Sequence, residues 1–161
     1  MDAFLSIIFN FPTIFFTGLL ALAAMLWLAI IVNKIKPWQL DKILRTALGV
    51  DEQGQSLSPF LRRWQRDGVP LSVGWSLWVV ISWLLSGVIT TLLYPYLTDK
   101  MVALGVAIIL LVIIPILAAA PTLKLLPSLK PWVDSWVSTQ KQRLQALMEA
   151  EERAKQRDAD A

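Results

Sequence analysis

The sequence predicts an all-α membrane protein with three transmembrane helices, and three observations support this fold class. Three stretches contain no Asp, Glu, Lys or Arg: Ile14–Val32, Leu71–Leu93 and Met101–Ala120. Each is close to the ~20 residues that a helix needs to cross a hydrocarbon core of ~30 Å. The chain is 56% hydrophobic and 17% charged, and its apolar residues form blocks rather than a periodic pattern.

The first span is preceded by a short apolar segment, residues 3–10, which ends before Phe11-Pro12. Proline disfavours helical geometry at the residue before it, so we expect the span to begin at Thr13 or Ile14. Residues 3–10 either lie in the membrane interface, which we favour, or continue into the span through a proline kink. The N-terminus lacks the basic region of a signal peptide, so we expect the first span to be retained as an anchor.

The loop 34–68 predicts two short amphipathic helices separated by a solvated linker at 51–56. The first has apolar residues at helical spacing from Leu40 and a C-terminal stop at Gly49. The second begins at Ser58-Pro59, an N-cap followed by proline. Both helices either pack on the membrane surface or dock a partner. The expected contact residues, including two near the third span, are Lys42, Arg45, Arg62, Arg63, Arg66, Trp38, Trp64, Trp132 and Trp136.

The second and third spans should form an antiparallel helical hairpin, and the composition changes beyond Pro121. Pro121, Pro127 and Pro131 punctuate a leucine-rich segment, and from Trp132 onward the sequence is helix-forming and charged. Between residues 133 and 154, residues recur at alternating intervals of four and three, as on the contact face of a short coiled coil, but two of those positions are polar. We therefore expect two units, a three-span membrane domain (1–131) and a charged C-terminal helix with its tail (132–161).

Basic residues predict the orientation of the three spans. The loop 34–68 and the segment after the third span each carry seven: Lys34, Lys36, Lys42, Arg45, Arg62, Arg63 and Arg66, then Lys124, Lys130, Lys141, Arg143, Arg153, Lys155 and Arg157. The positive-inside rule places both regions in the cytoplasm and the N-terminus outside. We expect a bacterial inner-membrane protein in contact with anionic lipid headgroups.

A stripe of small hydroxylated residues follows the second span. Projected at ~100° per residue, its members fall within an arc of about 120°. They are Ser72, Ser76, Ser82, Ser86 and Thr90. We favour helix–helix packing over a pore-lining or substrate-binding role, because no ionisable residue accompanies the stripe.

The residue inventory points away from catalysis. The chain has no cysteine and no histidine, which removes thiol nucleophiles, Cys/His metal sites and imidazole acid–base chemistry. The acidic residues at 51–52 and 149–152 lie in solvated segments, and no Walker-type or dinucleotide-binding motif is present. We therefore expect no catalytic residue, no cofactor, no metal and no nucleic-acid partner.

Two short motifs are typical of a known family. Phe11-Pro12-Thr13-Ile14-Phe15-Phe16-Thr17 and Gly68-Val69-Pro70-Leu71-Ser72 resemble segments of the YqiJ-type, NfeD-like bacterial inner-membrane proteins, over roughly residues 4–130. The resemblance implies an association with flotillin-like membrane scaffolds and envelope maintenance. Members typically continue into an OB-fold barrel, whereas this sequence continues after Pro131 as a charged helix. The resemblance therefore implies no barrel-mediated function and supplies no catalytic residue.

The leading functional prediction is a non-enzymatic inner-membrane scaffold or adaptor. Its docking surfaces would be the loop 34–68 and residues 132–157, and its partner would be a membrane protein or a second copy of the chain. The alternative is a subunit of a small channel or transporter that uses the hydroxyl stripe. An intramembrane enzyme is a third possibility, and no base or nucleophile in the sequence favours it.

Overall fold

The computed structural model describes residues 10–50, 70–96 and 99–160, except for the side chains of Lys100 and residues 158–160. These residues form four α-helices and one 3-10 helix: α1 (Phe11–Ile31), α2 (Pro37–Ala47), α3 (Leu71–Leu93), the 3-10 helix (Tyr94–Tyr96) and α4 (Lys100–Asp160). Helices α1, α3 and α4 are long and apolar enough to cross a membrane. The predicted all-α class with three spans is confirmed.

Helix α1 begins at Phe11, two residues before the expected start at Thr13. Pro12 is accommodated because the N–H groups of a first helical turn have no intrahelical partner. Residues 3–9, for which we predicted an interfacial segment or a kinked continuation of the span, lie outside the described residues.

The C-terminus of α1 is closed by a left-handed residue. Asn33 has φ 58°, the Asn33 N–H donates to Ile30 O at 3.0 Å, and the Lys34 N–H donates to Ala29 O at 2.9 Å. This is a Schellman motif, which satisfies carbonyls that the last turn leaves unpaired.

Helix α2 ends in the same way, at the glycine that the sequence marks as a stop. Gly49 has φ 67°, its N–H donates to Thr46 O at 3.2 Å, and the Val50 N–H donates to Arg45 O at 2.8 Å. Because φ near +60° is strained for a residue with a Cβ, glycine suits this position. The second predicted loop helix, beginning at Ser58, lies outside the described residues.

Helix α3 is the centre of the bundle, because it packs along both α1 and α4, whereas α1 and α4 contact each other less. One apolar cluster joins Phe16 of α1 to Leu110 and Ile114 of α4. Large apolar side chains such as Val88 and Ile116 remain exposed, as expected for helix faces solvated by lipid.

Helix α4 runs without interruption for 61 residues through Pro115, Pro121, Pro127 and Pro131. The expected charged C-terminal helix is therefore present, and it is continuous with the third span rather than separate from it. Each proline removes one backbone N–H from the helix and favours a bend at its position.

Beyond Leu126, α4 lies beside α1. Leu126 packs against Leu71, the first residue of α3, and further along α4 the Trp136 ring lies 5.8 Å from the ring of Trp27, centroid to centroid. Trp27 also donates a hydrogen bond to Ser76 of α3. Pro127 and Pro131 lie between these two contacts of α4.

Candidate functional site

The hydroxyl stripe of α3 meets a second set of polar residues on α1. Thr13 Oγ1 lies 3.0 Å from Ser86 Oγ and 3.2 Å from Thr90 Oγ1. Thr90 donates its hydroxyl proton to Ser86 O at 2.7 Å. Since each hydroxyl has one proton, Thr13 donates to Thr90 and accepts from Ser86. The three side chains thus form a closed hydrogen-bonded chain between the two helices.

Two tryptophans extend this polar seam along both helices. Trp27 Nε1 donates to Ser76 Oγ at 2.7 Å, and Ser76 donates to Ser72 O at 2.8 Å. Trp83 Nε1 donates to Thr17 Oγ1 at 3.0 Å. We call this set of contacts the α1–α3 seam. It gives each indole N–H a partner within the spans, where water cannot supply one.

Ser82 differs from the rest of the stripe. Its side chain is fully buried at 0% exposure, and its Oγ has no hydrogen-bond partner among the described residues. Ser72, Ser86 and Thr90 are also buried, at 3%, 0% and 3% exposure. The stripe therefore faces protein along most of its length.

An adjacent face of α3 meets a mainly apolar face of α4. Its buried residues recur at helical spacing: Ala103, Ala107, Leu110, Ile114 and Ala118. The alanines allow close approach of two helices. Trp78 Nε1 donates to Pro115 O at 2.9 Å. This carbonyl lies one turn beyond that of Leu111, which has no intrahelical N–H partner because Pro115 has no N–H. We call this the α3–α4 seam.

Asp41 connects α2 to the start of α3. Its Oδ1 accepts a hydrogen bond from the Leu71 N–H at 2.7 Å, and its Oδ2 pairs with Arg45 Nε at 2.9 Å. The N-cap residue of α3 is Pro70, which provides no side-chain cap. Asp41 therefore caps α3 from another helix, and its charge is favourable at the positive end of the helix dipole.

Of the predicted surface residues, some are exposed, some are partly buried, and four lie outside the described residues. Lys42 is exposed, and Arg45 is half-buried through its pair with Asp41. Trp132 is 64% exposed, whereas Trp136 is partly buried against α1. Trp38 is exposed, with Lys36 Nζ 5.4 Å from its ring centroid. Arg62, Arg63, Trp64 and Arg66 lie outside the described residues.

A cleft of about 460 Å³ opens where the end of α1, the start of α2 and α4 meet. Ile30 and Ile31 form its wall on α1, and Leu144 and Leu147 form its wall on α4. Lys36, Trp38, Trp136 and Arg143 also line it. The cleft thus combines apolar walls, indole rings and two cations.

Sequence reasoning identified the stripe on α3 but missed its partners on α1 and the role of Asp41. The available signal was the tryptophans inside the spans, Trp27, Trp78 and Trp83, because a buried indole N–H needs an acceptor. Asp41 gave no comparable signal, since a carboxylate on an amphipathic helix is ordinarily solvated.

Among the described residues, no group of three or more His, Cys, Asp or Glu side chains is placed to hold a metal ion. Comparison with known protein families, with curated proteins and with solved structures finds no match.

Proposed function

We propose that this protein is a non-enzymatic scaffold or adaptor of the bacterial inner membrane. The observation that carries the proposal is the course of α4, which leaves the apolar spans as an unbroken helix and continues to Asp160. We call residues 132–157 the α4 extension. A helix that joins a membrane anchor directly to an exposed charged surface suits the presentation of that surface to another protein.

The side chains of the α4 extension support a docking role. Leu147 and Met148 are 68% and 55% exposed in a segment rich in charge. Arg153 pairs with Glu149 at 3.1 Å, and Lys155 pairs with Glu151 at 2.8 Å. Exposed pairs of this kind contribute little to stability, so these charges are available to a partner. Exposed apolar residues rimmed by charge are typical of protein interaction sites.

The distribution of basic residues supports a cytoplasmic position for this surface. The loop 34–68 and the segment after the third span hold fourteen of the 15 basic residues, all but Lys100. The proposed topology, with the N-terminus outside and the C-terminus in the cytoplasm, follows from this asymmetry.

The α1–α3 seam supports a structural use of the hydroxyl stripe rather than the alternative of a channel or transporter subunit. Ser76, Ser86 and Thr90 all bond to residues of α1. Ser86 and Thr90 are also buried, so α1 shields their hydroxyls from a water-filled pathway.

The partner that the family resemblance suggests is a flotillin-like scaffold protein, and a second copy of the chain is the alternative partner. Photo-crosslinking in native membranes separates these outcomes. We would place a photoreactive amino acid at Met148 and, as the matched control, at Ile116, which is 66% exposed within the third span.

The proposal predicts one defined protein adduct from position 148, absent from position 116 and lost in the variant Arg153→Glu/Lys155→Glu. Mass spectrometry of the adduct identifies the partner. Lipid adducts alone at position 148, or the same adducts at both positions, would contradict the scaffold proposal.

Orientation has its own test because the chain contains no cysteine. Tyr96→Cys and Met148→Cys would each provide a single thiol, at exposed positions on opposite sides of the third span. A membrane-impermeant maleimide applied outside the inner membrane should label Tyr96→Cys and spare Met148→Cys until the membrane is permeabilised. The reverse pattern would invert the topology.

A further inference from the structure

We propose that the cleft between α1, α2 and α4 is a binding site for one anionic phospholipid. The cleft shares Leu147 with the docking surface of the α4 extension, but the inference does not depend on the scaffold proposal. It rests on three observations: the position of the cleft relative to the membrane, the charge of its lining and its combination of polar and apolar walls.

The cleft lies at the level where hydrocarbon gives way to headgroups. Helix α1 has 21 residues and therefore spans about 31 Å, close to the thickness of a hydrocarbon core. Ile30 and Ile31, the last residues of α1, line the cleft. Lipids in the leaflet that surrounds the C-terminal end of α1 consequently have direct access to the cleft.

The charge of the lining favours an anion. Lys36, at the start of α2, and Arg143, on α4, both line the cleft. None of the described residues that line the cleft is acidic. Along α4 the carboxylates nearest the lining are Asp134 and Glu149; neither lines the cleft, and Glu149 is paired with Arg153. An ammonium and a guanidinium at one site suit a phosphate, which accepts charge-assisted hydrogen bonds from both.

The remaining walls suit the rest of a lipid molecule. Ile31 and Leu144 provide apolar surface on opposite sides of the cleft, along which an acyl chain can lie. Trp38 and Trp136 also line it, and indole rings favour the boundary between headgroup and hydrocarbon. The volume of about 460 Å³ falls within the range of ~300–1,000 Å³ that is usual for small-molecule sites.

The contact between α4 and α1 forms this site. Arg143 and Leu144 line the cleft about two turns beyond Trp136, whose ring contacts that of Trp27. A bound anionic lipid would bridge Lys36 to Arg143 and so hold the α4 extension close to the membrane surface.

Native mass spectrometry of the full chain, released from detergent micelles, tests the inference. The protein would be titrated with phosphatidylglycerol and, in parallel, with phosphatidylcholine. The cleft variant is Lys36→Gln/Arg143→Gln. The matched control is Lys34→Gln/Lys141→Gln, which makes the same change in net charge at exposed positions that do not line the cleft.

We expect one phosphatidylglycerol to bind in preference to phosphatidylcholine, and its affinity to fall at least about tenfold in the cleft variant, because both charge-assisted contacts are lost. The control should keep wild-type affinity, and Lys36→Arg/Arg143→Lys should restore binding. Circular dichroism would verify that each variant keeps its helix content.

Three results would overturn the inference. The first is equal loss in the cleft variant and its control, which would indicate a general charge effect. The second is equal affinity for both lipids. The third is displacement of the lipid by soluble glycerol phosphate at millimolar concentration, which would indicate a site for free phosphate.

Discussion

The two seams of α3 hold the same helix by different means. Along the α1–α3 seam, hydroxyls and indole N–H groups bond from side chain to side chain between the helices. Along the α3–α4 seam, alanine and branched apolar residues are buried in a regular row, with Trp78 donating to the Pro115 carbonyl.

This difference shows how stability and register are divided in the bundle. Within lipid, a hydrogen bond between spans contributes only about 0.6 kcal/mol on average, because the separated helices also find polar partners. Small residues let the helix backbones approach closely, which adds van der Waals contact along the whole interface. We therefore assign most of the association energy to the α3–α4 seam, and the choice of one register between two apolar helices to the α1–α3 seam.

The largest expected effect is from overfilling the α3–α4 seam. Ala118 is fully buried, one turn from Ile114 on the same face of α4. Ala118→Leu should lower the free energy of unfolding by about 1–3 kcal/mol, because the added atoms force the helices apart. Denaturant titration in detergent micelles, followed by circular dichroism, measures the change.

Ala120→Leu is the matched control, because Ala120 is exposed on the same helix. It should leave the unfolding free energy unchanged. Equal destabilisation by both substitutions would show that the α3–α4 seam has no special requirement for small residues.

The next effect concerns a hydrogen bond at the end of the bundle, where solvent competes. Asp41→Ala should cost about 1 kcal/mol, the usual value for the loss of a helix N-cap. Asp41→Asn should recover part of that loss, because an amide oxygen can still accept from the Leu71 N–H. Thermal unfolding of the two variants compares them, and equal losses would assign the effect to the ion pair with Arg45.

A smaller effect is expected inside the α1–α3 seam. Thr13→Val keeps the shape of the side chain and removes the hydroxyl that links Ser86 to Thr90. The expected cost is about 0.6 kcal/mol and at most about 1.7 kcal/mol, measured by the same denaturant titration.

Thr91→Val serves as the control for that substitution, because the Thr91 hydroxyl is exposed and donates to Gly87 O of its own helix. It should be neutral. A cost for Thr13→Val above that of Ala118→Leu would reverse the assigned roles of the two seams.

The smallest effect has the opposite sign. Ser82→Ala removes a buried hydroxyl that has no partner among the described residues, so we expect neutrality or a gain of up to about 1 kcal/mol. Ser86→Ala should instead destabilise, because it breaks the bond to Thr13. Parallel unfolding titrations would test the contrast, and a loss of stability in Ser82→Ala would indicate that its hydroxyl has a partner.

The spans were predictable because their signal is local. Leu71–Leu93 has the same bounds in the sequence prediction and in the structure, since Pro70 precedes it and the aromatic Tyr94 follows its apolar run. The course of α4 was less accessible. Four prolines within one helix are tolerated in the packed structure, and sequence reasoning cannot tell a bend from a break.

The polar contacts were predictable on one helix only. The period of α3 places Ser86 and Thr90 on one face, but their partner Thr13 is 73 and 77 residues distant in the chain. That pairing depends on the relative rotation and height of α1 and α3, which no periodicity encodes. The cleft depends in the same way on the relative positions of α1, α2 and α4.

The accessibility of position 86 to water tests most directly whether the hydroxyl face of α3 is closed by α1. Ser86→Cys would carry a single thiol, because the chain has no cysteine, and its labelling by a charged methanethiosulfonate in permeabilised membranes would be compared with that of exposed Met148→Cys. A closed seam predicts rapid labelling at position 148 and none at position 86 until the protein is denatured. Labelling of position 86 at a rate comparable to that of position 148 would mean that the stripe lines a water-filled pathway, and would contradict the packing role.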